Sequence, residues 1–330
     1  MHELIVAIII IAILFDISNG YNDAANAIAT VVSTRVLKPL HAVLLAGCLN
    51  VAGAFFSTAV AKTIGKGVVD PNAITQIVII SALFSGFLWN TLMTKFGLPI
   101  SASHALIGGL IGASVSYGGI KILNIEGITK IFSSLLISPL LGIVFGFIFM
   151  SLLLRLFGLL PVSVINKYFG KLQIISAIFM AFSHGSNDAQ KVMGIITLSL
   201  VSGGYLHSVE VPYWVVLICA LAMGFGTALG GWRVIRTMGV NILKLEPIHG
   251  FAAETSSTIV ILGASHLGLP VSTTHVIASA IMGVGATKRL TAVRWGIGRK
   301  IVNAWIFTLP ICAIMAWIMC SILRFIDRYI

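Results

Sequence analysis

The chain has 330 residues, of which 58% are hydrophobic and 9% charged, with a formal net charge of +11 and a mean hydropathy of +1.05. A soluble domain carries roughly 25% charged residues, so this composition excludes an ordinary soluble protein and places the chain in a bilayer. Nucleic-acid binding is excluded as well, because the Lys and Arg residues fall in short gaps between apolar runs rather than on one basic, aromatic-bearing face.

Met1-His2-Glu3 lacks a basic leader and no small-residue cleavage site follows, so Leu4 to Phe15 reads as a retained span. The polar island Asp16 to Ala27 comes next, and apolar sequence resumes at Ile28. A Gly-containing island between apolar half-spans predicts a broken transmembrane helix. After a gap at Arg35 to Pro39, a run extends from His41 to Ala61 and closes with Lys62 and Lys66. Asp70-Pro71-Asn72 reads as a turn and Ala73 to Met93 as a span. Gly97-Leu98-Pro99-Ile100-Ser101-Ala102-Ser103-His104 follows, and its Ser101 suits a helix N-cap. That helix ends near Ser116 to Gly119, and a link with Lys121, Glu126 and Lys130 leads to a run through Pro139, where a kink is predicted.

Arg155 to Lys171, with Gly158 and Pro161, reads as the hinge between halves, after which the pattern repeats. Gly185-Ser186-Asn187-Asp188 matches Gly20-Tyr21-Asn22-Asp23 at an offset of 165. Spans are predicted at Trp214 to Gly230, Gly250 to His266 and Ile301 to Leu323. Gly268-Leu269-Pro270-Val271-Ser272-Thr273-Thr274-His275 matches the first Gly-Leu-Pro stretch at an offset of 171, implying about six extra residues in the second half. One membrane domain follows, with repeats at residues 1–160 and 165–330. Loops with Arg233, Arg236, Lys244, Lys288, Arg289, Arg294, Arg299 and Lys300 are richer in basic residues than those with Lys62, Lys66, Lys121 and Lys130. The richer set is assigned to the cytoplasm and the poorer set to the outside, which makes the repeats inverted.

Each Asn-Asp pair places a carboxylate inside a span at a cost of about 2.5–3.5 kcal/mol on translocon scales. Asn22, Asp23, Asn187 and Asp188 supply hard oxygen ligands suited to a small cation such as sodium; the bland alternative is a pair of locally satisfied helix caps. Ser101, Ser103, Ser272, Thr273 and Thr274 cluster at helix starts, which attract anions. A single copy would read as capping or helix packing, but two copies suggest one oxyanion held between the halves. His104 and His275 suit outer hydrogen-bonding roles. Glu254 maps onto Leu83 and breaks the symmetry, so it is either a further cation or proton carrier or a locally paired acid. Lys191 reads as a snorkelling side chain and Asp16 as interfacial. Cys48, Cys219, Cys312 and Cys320 lie in apolar runs and read as packing residues.

Gly20 to Ala27, Gly185 to Lys191, Pro270 to His275, Arg233 to Gly239 and Gly250 to Glu254 resemble signatures of the inorganic phosphate transporter family of sodium- or proton-coupled symporters. The resemblance covers both halves. It implies an all-α polytopic fold of about twelve membrane segments in two inverted-topology repeats with broken helices and re-entrant hairpins, and members that can form homodimers. It departs at Asn50, where eukaryotic relatives carry Glu, and in lacking a large central hydrophilic loop.

The expected function is phosphate import by sodium symport in the cell membrane. Phosphate would sit on Ser101, Ser103, Ser272, Thr273 and Thr274, with sodium on Asn22, Asp23, Asn187 and Asp188 and Glu254 as a further coupling residue. No cofactor is expected beyond the transported ions. Proton-coupled oxyanion transport is the alternative and an anion channel a weaker one. An intramembrane enzyme is disfavoured, because no Ser/His/Asp set is identifiable and duplicating a nucleophile has no obvious use.

Overall fold

The computed structural model of the chain describes residues 2–69 and 74–327. The turn expected at Asp70 to Asn72 lies outside these residues. Among them are twelve α-helices: α1 (His2–Ser33), α2 (Pro39–Ala54), α3 (Ala59–Gly67), α4 (Gln76–Phe96), α5 (Ala102–Gly118), α6 (Ile125–Phe157), α7 (Val162–Ser202), α8 (Tyr213–Leu229), α9 (Trp232–Arg236), α10 (Pro247–His266), α11 (Thr273–Lys288) and α12 (Trp295–Asp327). Helices α7 to α12 repeat the order of α1 to α6, down to a single 3-10 turn before each of α6 and α12. The extra residues of the second half fall mainly in the connection before α8, Gly203 to Pro212, which is longer than its mate, Thr34 to Lys38.

The predicted break at the polar islands is absent. Helix α1 runs unbroken from His2 to Ser33 and α7 from Val162 to Ser202. No proline interrupts either island, and the polar side chains face other helices rather than lipid, so the backbone ladder stays closed. The island glycines serve contact instead. A Cβ on Gly20 would stand 2.6 Å from Met223 O on α8, and one on Gly185 would stand 2.2 Å from Asn50 O on α2. The breaks lie elsewhere: α2 and α3 meet at 72°, and α8 meets the α9 segment at 63°. The expected hinge also shortens, because α6 and α7 leave only Gly158 to Pro161 between them. Helices α6 and α12 continue through Pro139 and Pro310.

Helices α1, α4, α6 and α12 are individually long and apolar enough to cross a bilayer. The repeat mates α1 and α7 run antiparallel: Asp23 faces His184 and Asp188, whereas Thr34, farther along α1, bonds Gln173, farther back on α7. Mates of opposite direction require a pseudo-two-fold axis across the helices, which is an inverted repeat. Packing follows the same symmetry, with α1 on α8 and α2 on α7, and with α5 on α12 and α11 on α6. The outer faces of α6 and α12 expose Leu136, Leu140, Ile148, Ile306, Phe307 and Ile314. Such apolar rows suit acyl chains, as expected of an integral membrane protein.

Candidate functional site

The site lies where the two islands cross. Positions 16, 19, 23 and 26 follow helical spacing and share one face of α1, and 184, 188 and 191 do so on α7. His184 Nε2 stands 3.7 Å from Asp23 Oδ2 and 3.4 Å from Asp188 Oδ2. The ligand atoms of Asp23, His184 and Asp188 lie within 4.8 Å of one another. Lys191 Nζ donates to Asp188 Oδ1 at 2.5 Å and to Val271 O at 3.1 Å. Both acids are essentially fully buried.

Two helical hairpins, α4–α5 and α10–α11, bring the hydroxyl residues here. Gly97 and Gly268, at φ 69° and 67°, end α4 and α10 in the left-handed region and turn the chain towards α5 and α11. Ser101 and Ser272 are N-caps as predicted, each Oγ accepting from the backbone N–H of His104 or His275 at 3.2 Å. An accepting hydroxyl keeps its own hydrogen for a second partner. Thr273 Oγ1 donates to Asp188 Oδ2 at 2.9 Å and Thr274 Oγ1 to Asp23 Oδ1 at 3.1 Å. Asn26 Nδ2 donates to Thr274 Oγ1 at 2.9 Å. Ser103 Oγ is 3.5 Å from Val271 O, so the two hairpin tips abut.

Asn22 and Asn187 are placed symmetrically one position before the acids. Their amide nitrogens donate to Thr94 Oγ1 at 2.6 Å and Ser265 Oγ at 2.9 Å, residues that are themselves repeat mates. Both Oδ1 atoms are buried and without a hydrogen-bond partner. This set of two carboxylates and two uncommitted amide oxygens has the chemistry of a site for a small hard cation.

Glu254 lies apart from that centre. Thr30 donates to its Oε1 at 2.5 Å and Gln173 at 3.3 Å, while Ser176 donates to Oε2. The mate positions of these four residues are Leu83, Ile195, Ile8 and Ile11, so this polar cage exists on one side only.

Three features were not anticipated. Lys191 is 2% exposed and bonded inside the site, so it does not snorkel. Asp16 is fully buried rather than interfacial. His184, absent from the sequence-based site, precedes Asp188 by one helical turn, a spacing that is legible in the sequence. His104 and His275, expected in outer hydrogen-bonding roles, stack on each other with centroids 4.7 Å apart, and His275 stacks on Trp305 at 3.9 Å.

The profile of the phosphate transporter family matches residues 19–165 and 159–316. A Bacillus subtilis (strain 168) protein named "Probable low-affinity inorganic phosphate transporter" is 44% identical, the match covering 98% of each chain. A Rhizobium meliloti (strain 1021) protein of the same name is 45% identical, covering 95% of this chain and 94% of its own. The solved structure titled "The sodium-dependent phosphate transporter" superposes with a TM-score of 0.88 at 26% identity, covering 98% of this chain and all of that one. Taken with the duplicated islands and hairpins, these matches establish that the chain belongs to the phosphate transporter family.

Proposed function

We propose that the protein imports inorganic phosphate across the cell membrane by sodium symport. The observation that carries this reading is the pair of bonds from Thr273 to Asp188 and from Thr274 to Asp23. In the structure the two carboxylates accept the threonine hydrogens. Sodium bound by Asn22, Asp23, Asn187 and Asp188 would occupy the carboxylate lone pairs. The hydroxyls of Thr273 and Thr274 would then turn, with those of Ser101, Ser103 and Ser272, to phosphate at the paired helix starts. Cation and anion affinities are thereby linked, because each ligand favours the arrangement the other needs. Lys191 keeps Asp188 oriented between the two.

The similarity to a structure titled sodium-dependent supports sodium as the coupling ion. Glu254, held by neutral donors, belongs to the cation path as a lower-ranking coupling residue. The basic loops from Arg233 to Lys300 face the cytoplasm in this reading, residues 1–160 and 165–330 act as the two moving repeats, and the protein assembles as a homodimer. Uptake into proteoliposomes, with sodium and pH gradients imposed separately, tests the proposal. Phosphate accumulation should follow the sodium gradient. Accumulation that follows pH and ignores sodium makes the protein a proton symporter, and flux without dependence on either cation makes it a channel.

A further inference from the structure

The two ends of the central site are not equally covered. Asn22 and Asn187 each donate to a hydroxyl on a hairpin helix, Thr94 on α4 and Ser265 on α10. Ser265 is wholly buried, and so is Ser186, which precedes Asn187. Their mates Thr94 and Tyr21 are half-buried, and both line a cavity of about 590 Å³. The Thr94 hydroxyl that takes the Asn22 bond thus belongs to the cavity wall.

The rest of that wall is built by α4 and by the bend between α8 and α9. Gly230, at φ 69°, turns the chain there. Gly231 passes against α1 so closely that a Cβ would stand 2.2 Å from Tyr21 O. The Tyr21 and Thr91 hydroxyls share a hydrogen bond at 2.7 Å. Arg233 donates to the backbone oxygen of Lys95, and both side chains are exposed at the mouth. Two positive charges in such a place concentrate anions. The volume leaves room for a phosphate with part of its water shell, at about 30 Å³ per water.

The opposite end is clamped by a side chain. Gln190 Oε1 accepts from the backbone N–H groups of Val60 at 2.8 Å and Ala61 at 3.3 Å, which ties the first turn of α3 to α7. Gly194 lets these helices touch, since a Cβ there would stand 2.5 Å from Ala61 O. The repeat mate of Gln190 is Ala25, which has no side-chain acceptor to offer α9. The bend of α2 and α3 is therefore held onto its island in a way that the bend of α8 and α9 cannot be.

We infer that the cavity at Tyr21, Thr91 and Thr94 is the portal through which phosphate and its cation pass between the central site and the side of the membrane that holds Arg233. The inference rests on the proposed transport site at Asp23 and Asp188 and adds the path that serves it.

Thiol labelling in vesicles, with the exposed Cys48 replaced by Ala, tests it. Thr91→Cys should react with an impermeant methanethiosulfonate applied from the side at which Arg233→Cys reacts. The label should block phosphate uptake, a negatively charged label more than a positive one of similar size. Sodium with phosphate should slow the labelling several-fold. Ser265→Cys should not react from that side. If Thr91→Cys does not fold, Trp232→Cys, exposed in the same wall, takes its place with the same expectations. A folded variant that does not react from that side overturns the portal, as does full labelling that leaves uptake unchanged, or Ser265→Cys reacting there as fast as Thr91→Cys. If uptake follows pH rather than sodium and the label still blocks it, sodium coupling fails and the portal stands. If sodium-driven uptake persists in the fully labelled protein, the portal fails and sodium symport stands.

Discussion

Thr274 donates its hydroxyl hydrogen to Asp23 at 3.1 Å across 251 positions of sequence. The bond joins a hydroxyl of the kind that suits an anion to a carboxylate of the kind that suits a cation. Replacing Thr274 with Val removes the donor at nearly constant volume. Sodium affinity without phosphate should stay the same or tighten, because Asp23 gains lone pairs. The factor by which sodium strengthens phosphate binding should fall several-fold, a loss of about 1 kcal/mol of coupling. Calorimetric phosphate titrations at low and high sodium measure that factor, and a variant with wild-type coupling would remove Thr274 from the linkage.

Under the proposed mechanism Asp23→Asn and Asp188→Asn should each abolish sodium-driven uptake, since each removes a carboxylate from the proposed cation site where water cannot replace it. Folding should survive for Asp23→Asn, because an uncharged amide costs less to bury than a carboxylate and its oxygen can still accept from Thr274. Asp188→Asn leaves Lys191 without its carboxylate and should also lower thermal stability. Wild-type uptake with unchanged sodium dependence in both variants would show that the cation binds elsewhere.

Ser272→Ala and Ser101→Ala remove a cap and a donor together. Loss of the cap costs about 0.5–2 kcal/mol of stability. Loss of the donor should raise the phosphate dissociation constant roughly tenfold, at about 1.4 kcal/mol per decade. Thermal unfolding and calorimetry at fixed sodium separate the two effects. Reduced stability with unchanged phosphate affinity in both variants would reduce these serines to caps, and Lys191 would be the next residue to substitute.

Gly185→Ala should be poorly tolerated, since its Cβ would meet the Asn50 carbonyl oxygen at 2.2 Å. Parting α7 from α2 should cost about 1–3 kcal/mol and shift His184, whose Nδ1 lies 3.0 Å from Asn50 Oδ1. A variant that melts at the wild-type temperature would mean that the two helices separate without penalty.

Single cysteines introduced near Lys66 and near Arg236 probe the inverted arrangement in intact membranes. An impermeant thiol reagent should label one position from outside and the other only from inside. Labelling of both from the same side would contradict the antiparallel relation of the halves.

Much of this architecture was legible because it is written twice. Asn22-Asp23 and Asn187-Asp188, and the two Gly-Leu-Pro stretches, fixed the repeat, its N-caps and the residues that meet at the centre. The continuity of α1 and α7 was not legible. A polar run with glycine looks the same whether the backbone opens or the side chains find partners on other helices, and the partners Thr94 and Ser265 are about seventy-two and seventy-eight positions away. Lys191 is held inside by two partners: Asp188, one helical turn before it on α7, was legible from the spacing, whereas the Val271 carbonyl, 80 positions away, was not. Asp16 looked like the end of a span because the expected break ended the span at Phe15, whereas α1 runs on to Ser33.

The crossed packing of the halves also bears on how the chain is made. Helix α5 rests on α12, which is synthesised after α6 to α11, and α6 waits for α11. Newly inserted first-half helices therefore hold apolar and small-residue faces without their final neighbours until α11 and α12 have been made. A nascent chain stopped before Trp295 should be inserted yet incompletely assembled, and should be cleared by membrane quality control, whereas the two halves co-expressed as separate polypeptides should find one another and restore the whole.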